Sequence, residues 1–220
     1  MEEKNPNLRR LDAALIALIL LSGLLLSGLT LGACGGGQSQ SRKHIEPIYD
    51  QQTGRLKQLN YDSKNNGKFD TVSYMDGARV LRIEIDTDGD GKVDRWEYYG
   101  ADQKLTKVGI SRANDGKEDA WSYAGPDGKV ERLEISTRRD GKIGRTEHYV
   151  KDLPVRAEEA SHGDGVIDKW ETFDSGRLTA VAFDTTHRGS PDRRLIYAAD
   201  GTVRVEVDPR GDGQWTAHNP

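Results

Sequence analysis

Asp86-Thr87-Asp88-Gly89-Asp90-Gly91-Lys92-Val93-Asp94-Arg95-Trp96-Glu97-Tyr98-Tyr99 returns in outline 25 residues later as Ser111-Arg112-Ala113-Asn114-Asp115-Gly116-Lys117-Glu118-Asp119-Ala120-Trp121-Ser122-Tyr123-Ala124. Self-similarity at a fixed short period marks a repeat architecture. Aligned on one glycine, the repeat runs through Gly67, Gly91, Gly116, Gly141, Gly165, Gly189 and Gly213, at spacings of 24 or 25 residues. Three residues beyond that glycine stand Asp70, Asp94, Asp119, Asp168 and Asp192, with Gly144 and Thr216 as exceptions. Five beyond stand Val72, Trp96, Trp121 and Trp170, and seven beyond stand Tyr74, Tyr98, Tyr123, His148, Thr172 and Ile196.

Within a unit the period is two. Trp96 and Tyr98 fall on one side of a strand, Arg95 and Glu97 on the other. Asp76-Gly77, Asp127-Gly128, Ser175-Gly176 and Asp200-Gly201 then supply hairpin-type turns. Second strands follow over Arg79 to Ile85, Leu105 to Ile110, Val130 to Ile135, Leu178 to Phe183 and Val203 to Val207, and Arg55 to Tyr61 reads as the second half of an earlier unit. Nine-residue loops such as Asp86 to Asp94 join one unit to the next. The expected fold is all-β: an elongated, twisted antiparallel sheet of tandem β-hairpin repeats. A propeller fits less well, because its blades need four strands and a unit supplies two. In the fourth unit Asp152-Leu153-Pro154 replaces the tight turn and Glu158-Glu159 stands where apolar residues are expected, which predicts a bulge or a break. The hairpin Tyr98-Tyr99-Gly100-Ala101-Asp102-Gln103-Lys104-Leu105 resembles the tyrosine- and glycine-containing hairpins of MORN-type repeats. That resemblance implies no activity.

The N-terminus carries a different message. Arg9 and Arg10 precede an apolar stretch from Leu11 to Leu31, which ends in Leu31-Gly32-Ala33-Cys34. A basic start, an apolar centre and small residues before a cut site make a secretory signal. The tetrapeptide resembles the lipobox of bacterial lipoprotein precursors. That resemblance implies a diacylglyceryl group on Cys34, cleavage before it and a membrane anchor of several acyl chains. Cys34 is the only cysteine, so an internal disulfide is excluded. The alternative is a retained transmembrane helix, since the apolar run approaches the ~20 residues that span a bilayer. Position 35 is Gly rather than Asp, which by the same resemblance favours the outer membrane, with the protein facing the periplasm or the exterior. The expected division is a signal peptide at 1–33, the lipidated Cys34 and a flexible tether at 34–46 (Gly35 to Ser41 being Gly-Gly-Gly-Gln-Ser-Gln-Ser), and the repeat domain at 47–220.

Composition narrows the function. The charges of the leader cancel, so the mature part keeps the net charge of −4, the wrong sign for a nucleic-acid binder. Mean hydropathy is −0.75 even with the apolar leader included, too polar for a core of several layers. Each repeat needs only one modest buried face.

One motif is chemically specific. Asp86 to Glu97 matches the EF-hand loop pattern at every formal position, with Asp86, Asp88, Asp90, the Lys92 carbonyl, Asp94 and Glu97 as calcium ligands. The flanks read as strands. A rise of ~3.3 Å per residue carries Glu97 roughly 10 Å beyond Asp94 and away from an ion. The loop is more similar to the aspartate-rich loops of dockerins and thrombospondin type 3 repeats, which implies ligands at Asp86, Asp88, Asp90, Asp94 and the Lys92 carbonyl. The other units are degenerate, and Arg138 and Arg188 put positive charge where ligands belong. Asp-Gly is also good turn chemistry without any metal.

Trp96, Trp121 and Trp170 admit two readings: a platform on which sugar rings stack, or, with Tyr98 and Tyr123, the hydrophobic face of a thin sheet. The second is favoured. No G-x-S-x-G, G-x-x-x-x-G-K-[ST] or H-E-x-x-H pattern is present, and His44, His148, His162, His187 and His218 are scattered. The chain is therefore expected not to be an enzyme. The expected role is a non-catalytic, membrane-anchored module, stiffened by calcium, that presents a surface to an envelope or extracellular protein. A carbohydrate or peptidoglycan binder is the second reading, and a hydrolase on the same scaffold, using a carboxylate dyad, the third.

Overall fold

The computed structural model describes residues 44–218. The leader, Cys34, Gly35 and the tether to Lys43 lie outside the described residues.

The described residues form one antiparallel sheet of fifteen strands whose spatial order is the sequence order. The strands are β1 (Ile45–Tyr49), β2 (Leu56–Tyr61), β3 (Thr71–Asp76), β4 (Arg79–Ile85), β5 (Arg95–Tyr99), β6 (Leu105–Ile110), β7 (Ala120–Ala124), β8 (Val130–Ile135), β9 (Arg145–Val150), β10 (Leu153–Glu159), β11 (Lys169–Asp174), β12 (Arg177–Phe183), β13 (Arg193–Tyr197), β14 (Val203–Val207) and β15 (Thr216–Ala217). Fifteen strands spaced ~4.8 Å apart extend the sheet to roughly 67 Å. The main contacts run between consecutive strands. Tight turns line one edge and the nine-residue loops line the other.

The hairpins close as the turn residues dictate. Ser175 and Gly176 both take left-handed backbone, the pairing a two-residue hairpin with the right twist requires. Lys151 and Asp152 do the same between β9 and β10. The fourth unit therefore contains no break, and it does contain a register shift between Pro154 and Arg156. Similar shifts occur at Tyr74/Met75, Tyr98/Tyr99, Tyr123/Ala124 and Thr172/Phe173. The sheet begins at Ile45, two residues ahead of the expected start of the repeat domain. Pro47 lies in β1, an edge strand, where a missing N–H leaves no ladder bond unmade.

The position of the core corrects one expectation. Register pairs Ile83 with Glu97, Glu97 with Val108, Val108 with Ser122 and Ser122 with Leu133. The branched aliphatics of the second strands thus share a face with Arg95 and Glu97, opposite the tryptophans. That face holds Val108, Leu133, Ile135, Ala157 and Val181, all nearly inaccessible to solvent, Leu133 at 1 %. The Trp and Tyr columns are the lesser apolar face. Alternation in the first strand alone favours them, but the second strands contribute more branched side chains and decide the outcome.

A charged network is buried in the aliphatic face. Arg145 on β9 donates through Nε to Glu147 (2.7 Å), through Nη1 to Glu159 on β10 (3.0 Å) and through Nη2 to Glu171 on β11 (2.6 Å). The guanidinium crosses a whole strand, and the small side chain of Ala157 leaves the room. Lys169 joins Glu159 at 3.1 Å and Glu171 at 2.9 Å. Burial works against the Arg145 charge, but Glu171 and Glu147 hold it more firmly protonated than a free arginine. Burial likewise works to raise Glu171, and the cations beside it win and lower it. Arg95, Glu97 and Tyr99 repeat the start of this motif on β5: Arg95 Nε donates to Glu97 at 2.9 Å, and the Tyr99 hydroxyl at 2.7 Å.

Candidate metal-binding loop and the loop column

Most of the nine-residue loops are stitched by the side chains of their own end residues; exceptions include the last residue of loop 136–144, Gly144, and the first of loop 160–168, Ala160. The first residue receives backbone N–H groups from the middle of the loop. Asp86 accepts from Gly89 (2.6 Å) and Gly91 (2.8 Å), Asp184 from Arg188 and Gly189, and Asp208 from Gly211 and Gly213. The ninth residue accepts from the second. Asp94 takes the Thr87 N–H (2.8 Å) and hydroxyl, Asp168 those of Ser161, and Asp192 those of Thr185. Burial works to raise Asp86, but the Gly91 and Gly89 N–H groups and the Lys64 charge outweigh it and lower its pKa. The same contest leaves Asp168 at about 2: burial raises it, and Ser161 and His162 lower it further.

Two positions in the loop need left-handed backbone. The sixth is the glycine of the sequence alignment; Gly91 has a φ of 92°. The fourth is occupied by Asn65, Gly89, Asn114, Arg139, Gly163, His187 and Gly211, all left-handed. Sequence alignment misses this column because its side chains share no chemistry. The two Asn and three Gly were the available signal.

Successive loops are also tied to each other. Lys64 Nζ donates to the Thr87 carbonyl (2.9 Å), Lys92 Nζ to that of Asn114 (3.2 Å), Arg112 Nη2 to that of Ser136 (2.8 Å) and Arg188 Nη2 to that of Asp208 (2.9 Å). Arg138 donates to the His162 carbonyl. The two arginines that seemed to spoil a ligand set bind the next loop instead.

At the loop 86–94, Asp86, Asp88 and Asp94 each offer a carboxylate oxygen, all within 4.8 Å of one another. Asp88 is exposed and the other two are half-buried. Asp90 stands outside this group: it accepts from the Lys92 N–H at 2.8 Å and the Lys92 ammonium at 3.4 Å. Glu97 is carried away along β5, where it is held by Arg95 and Tyr99. Asn114 donates to Asp88 (2.6 Å) and Asp90 (3.2 Å) from the following loop. Three hard oxygens with open approach fit a divalent cation that keeps waters in its remaining positions. Lys64 at the loop carbonyls opposes such a charge.

The tryptophans are spread across strands on one face. Trp96 is 7 % exposed and has no open face for a sugar ring. Trp121 and Trp170 are half-buried, on β7 and β11. Between Trp96 and Trp121 lies Gly109, and the Glu118 side chain fills the space a Cβ would take there. Glu118 accepts from Trp121 Nε1 at 2.5 Å and from the Tyr98 hydroxyl. Arg82, Lys107 and Arg132 lie over the rings of Tyr74, Tyr98 and Tyr123 at 4.5, 3.9 and 4.2 Å from their centres.

No family model matches this chain, and no curated protein does. Among solved structures it is similar to TarM, at 14 % identity and a TM-score of 0.36, covering 57 % of this chain and 22 % of that one. It is similar to a mutant of S. aureus TarM in complex with Fondaparinux, alpha-GlcNAc-glycerol and UDP, at 13 % identity and a TM-score of 0.25, covering 66 % and 26 %. It is also similar to the GtfA/B complex bound to UDP and GlcNAc, at 10 % identity and a TM-score of 0.27, covering 82 % and 29 %. This chain spans between 22 % and 29 % of the length of those chains. Likenesses at these TM-scores carry no argument for a particular activity. The expectation of a non-catalytic chain rested on the absence of catalytic patterns alone and is withdrawn; the solved structures named above are of glycosyltransferases.

Proposed function

We propose that the chain is an extracytoplasmic lipoprotein, held to a membrane through Cys34, whose repeat sheet serves as a structural or binding module for an envelope or extracellular partner and is stiffened by calcium at the loop 86–94. The anchor reading rests on the order of basic residues, apolar run and Leu31-Gly32-Ala33-Cys34. With Gly35 following the cysteine, the outer membrane is the proposed destination. The calcium reading is carried by one observation: Asp86, Asp88 and Asp94 converge while Glu97 turns away, as in an aspartate loop that works without helical flanks. Millimolar calcium outside the cell is enough to fill a weak site.

The anchor is tested by growing expressing bacteria with an alkyne-bearing fatty acid. The wild type takes the label and fractionates with membranes; Cys34→Ser takes none. Equal label on both would exclude Cys34 as the lipidated residue. An unlabelled wild type still in the membrane fraction would point to a retained apolar helix.

A further inference from the structure

We propose that His162 and His187, on successive loops, form a site for a divalent transition-metal ion of the zinc, copper or nickel class. Their ring centres are 5.2 Å apart, with the planes inclined at 73°. A metal binds an imidazole nitrogen at 2.0–2.1 Å, which puts the ring centre ~3.2 Å from the ion; two such arms at a tetrahedral angle place the ring centres ~5.2 Å apart. The pair already has the spacing that shared ligation requires.

The rest of the arrangement is of the same kind. Asp168 binds Nδ1 of His162, and a carboxylate there fixes the proton on Nδ1 and leaves the Nε2 lone pair for a metal. The His187 ring makes no hydrogen bond among the described residues, and both histidines are exposed to an arriving ion. His187 is presented by its left-handed backbone at the fourth loop position, φ 57°.

Stacking of the loops explains why the two rings meet. A residue at the fourth position meets the third or fifth position of the preceding loop. Asn114 reaches Asp88 and Asp90, and Arg139 reaches Asp115 at 2.9 Å. The same step brings His187, at the fourth position, to His162, at the third. Two imidazoles, with water in the remaining positions, select a borderline transition metal over calcium, which wants oxygen alone. Of the nearby cations, Arg138 is committed to the His162 carbonyl and Arg188 to carbonyls of Ser190, Pro191 and Asp208.

The test is titration of the full detergent-solubilised chain with zinc at pH 7.5 by calorimetry, with copper electron paramagnetic resonance as a second readout. The expected result is one ion per chain in the micromolar range and nitrogen hyperfine structure from two imidazoles. His187→Asn, which keeps a residue type that tolerates the backbone, weakens binding at least tenfold, as does His162→Gln, while Asp127→Asn, in an exposed hairpin turn, leaves it unchanged. Zinc binding unaffected by His187→Asn, or by His162→Gln, would overturn the proposal. Circular dichroism of each variant shows whether its sheet is intact, and copper spectra from folded variants keep the two outcomes apart.

Discussion

Arg112 Nη2 donates to the Ser136 carbonyl oxygen at 2.8 Å, from one loop into the next, and Asp119 holds the same guanidinium at 3.2 Å through Nε. The carboxylate that closes one loop thus aims the cation that binds the following loop. A sheet without a second layer needs such lateral ties. Strand pairing fixes neighbours along the backbone, while the loop column adds a second line of contacts at the edge.

Gly163 lies where Arg138 passes to the next loop. A methyl group there meets the Arg138 guanidinium, and the backbone is left-handed at φ +70°. Gly163→Ala should destabilise the sheet by about 1–3 kcal/mol in urea unfolding. A loss no larger than that at Gly165, which is equally left-handed with open space around it, would show that the Arg138 crossing contributes nothing.

The buried network of Arg145 makes a larger prediction. Glu171→Ala breaks two buried ion pairs at once and leaves a donor of Arg145 and a donor of Lys169 unpaired beside the remaining Glu147 and Glu159, at a cost of about 3–5 kcal/mol. Glu158→Ala, one residue from Glu159 but on the other face and paired with the exposed Arg156, should cost less than about 1 kcal/mol. Chemical denaturation of the two variants measures the contrast, and similar losses would contradict the face assignment.

Leu133→Ala tests the same assignment from the apolar side. At 1 % exposure it should lose about 2–4 kcal/mol, more than Tyr123→Ala on the opposite face. The reverse order of midpoints would return the core to the tryptophan face.

Acid should unfold the loops before it unfolds the sheet. Asp168 has a folded-state pKa of about 2, below its ordinary 3.8, so its contribution is complete above about pH 5 and is lost as the pH falls through 2. Asp86, Asp184, Asp192 and Asp208 are shifted in the same direction. Melting temperature should be level from pH 5 to 7 and drop between pH 4 and 2, and Asp168→Asn should flatten part of that drop. A transition centred near pH 6 would assign the acid sensitivity to histidines instead.

Much of this was legible in the sequence. Strands such as Arg95–Tyr99 and Val130–Ile135 carry a period of two between turn signals, and those local rules agree with the sheet that forms. The choice of buried face was not legible, since it depends on the register that sets Val108 against Glu97, and register belongs to pairs of strands. Glu159 looked misplaced for a related reason: its partners Arg145 and Lys169 lie on neighbouring strands. In the loop 86–94 the aspartates were visible, but the partition between Asp88, which joins the cluster, and Asp90, which turns to Lys92, required coordinates. Arg139 and His187 conceal their left-handed backbone because neither residue type announces it.

The most direct measurement is thermal unfolding of the full detergent-solubilised chain in millimolar calcium and in excess chelator, for the wild type and Asp88→Asn. An ion that binds only the folded state at 100 times its dissociation constant adds ~2.7 kcal/mol, or about 5–10 °C for a domain of this size. The account predicts such a rise for the wild type and little or none for Asp88→Asn, with equal midpoints in chelator. An unchanged wild-type midpoint, or an equal rise in both proteins, would contradict calcium binding at Asp86, Asp88 and Asp94.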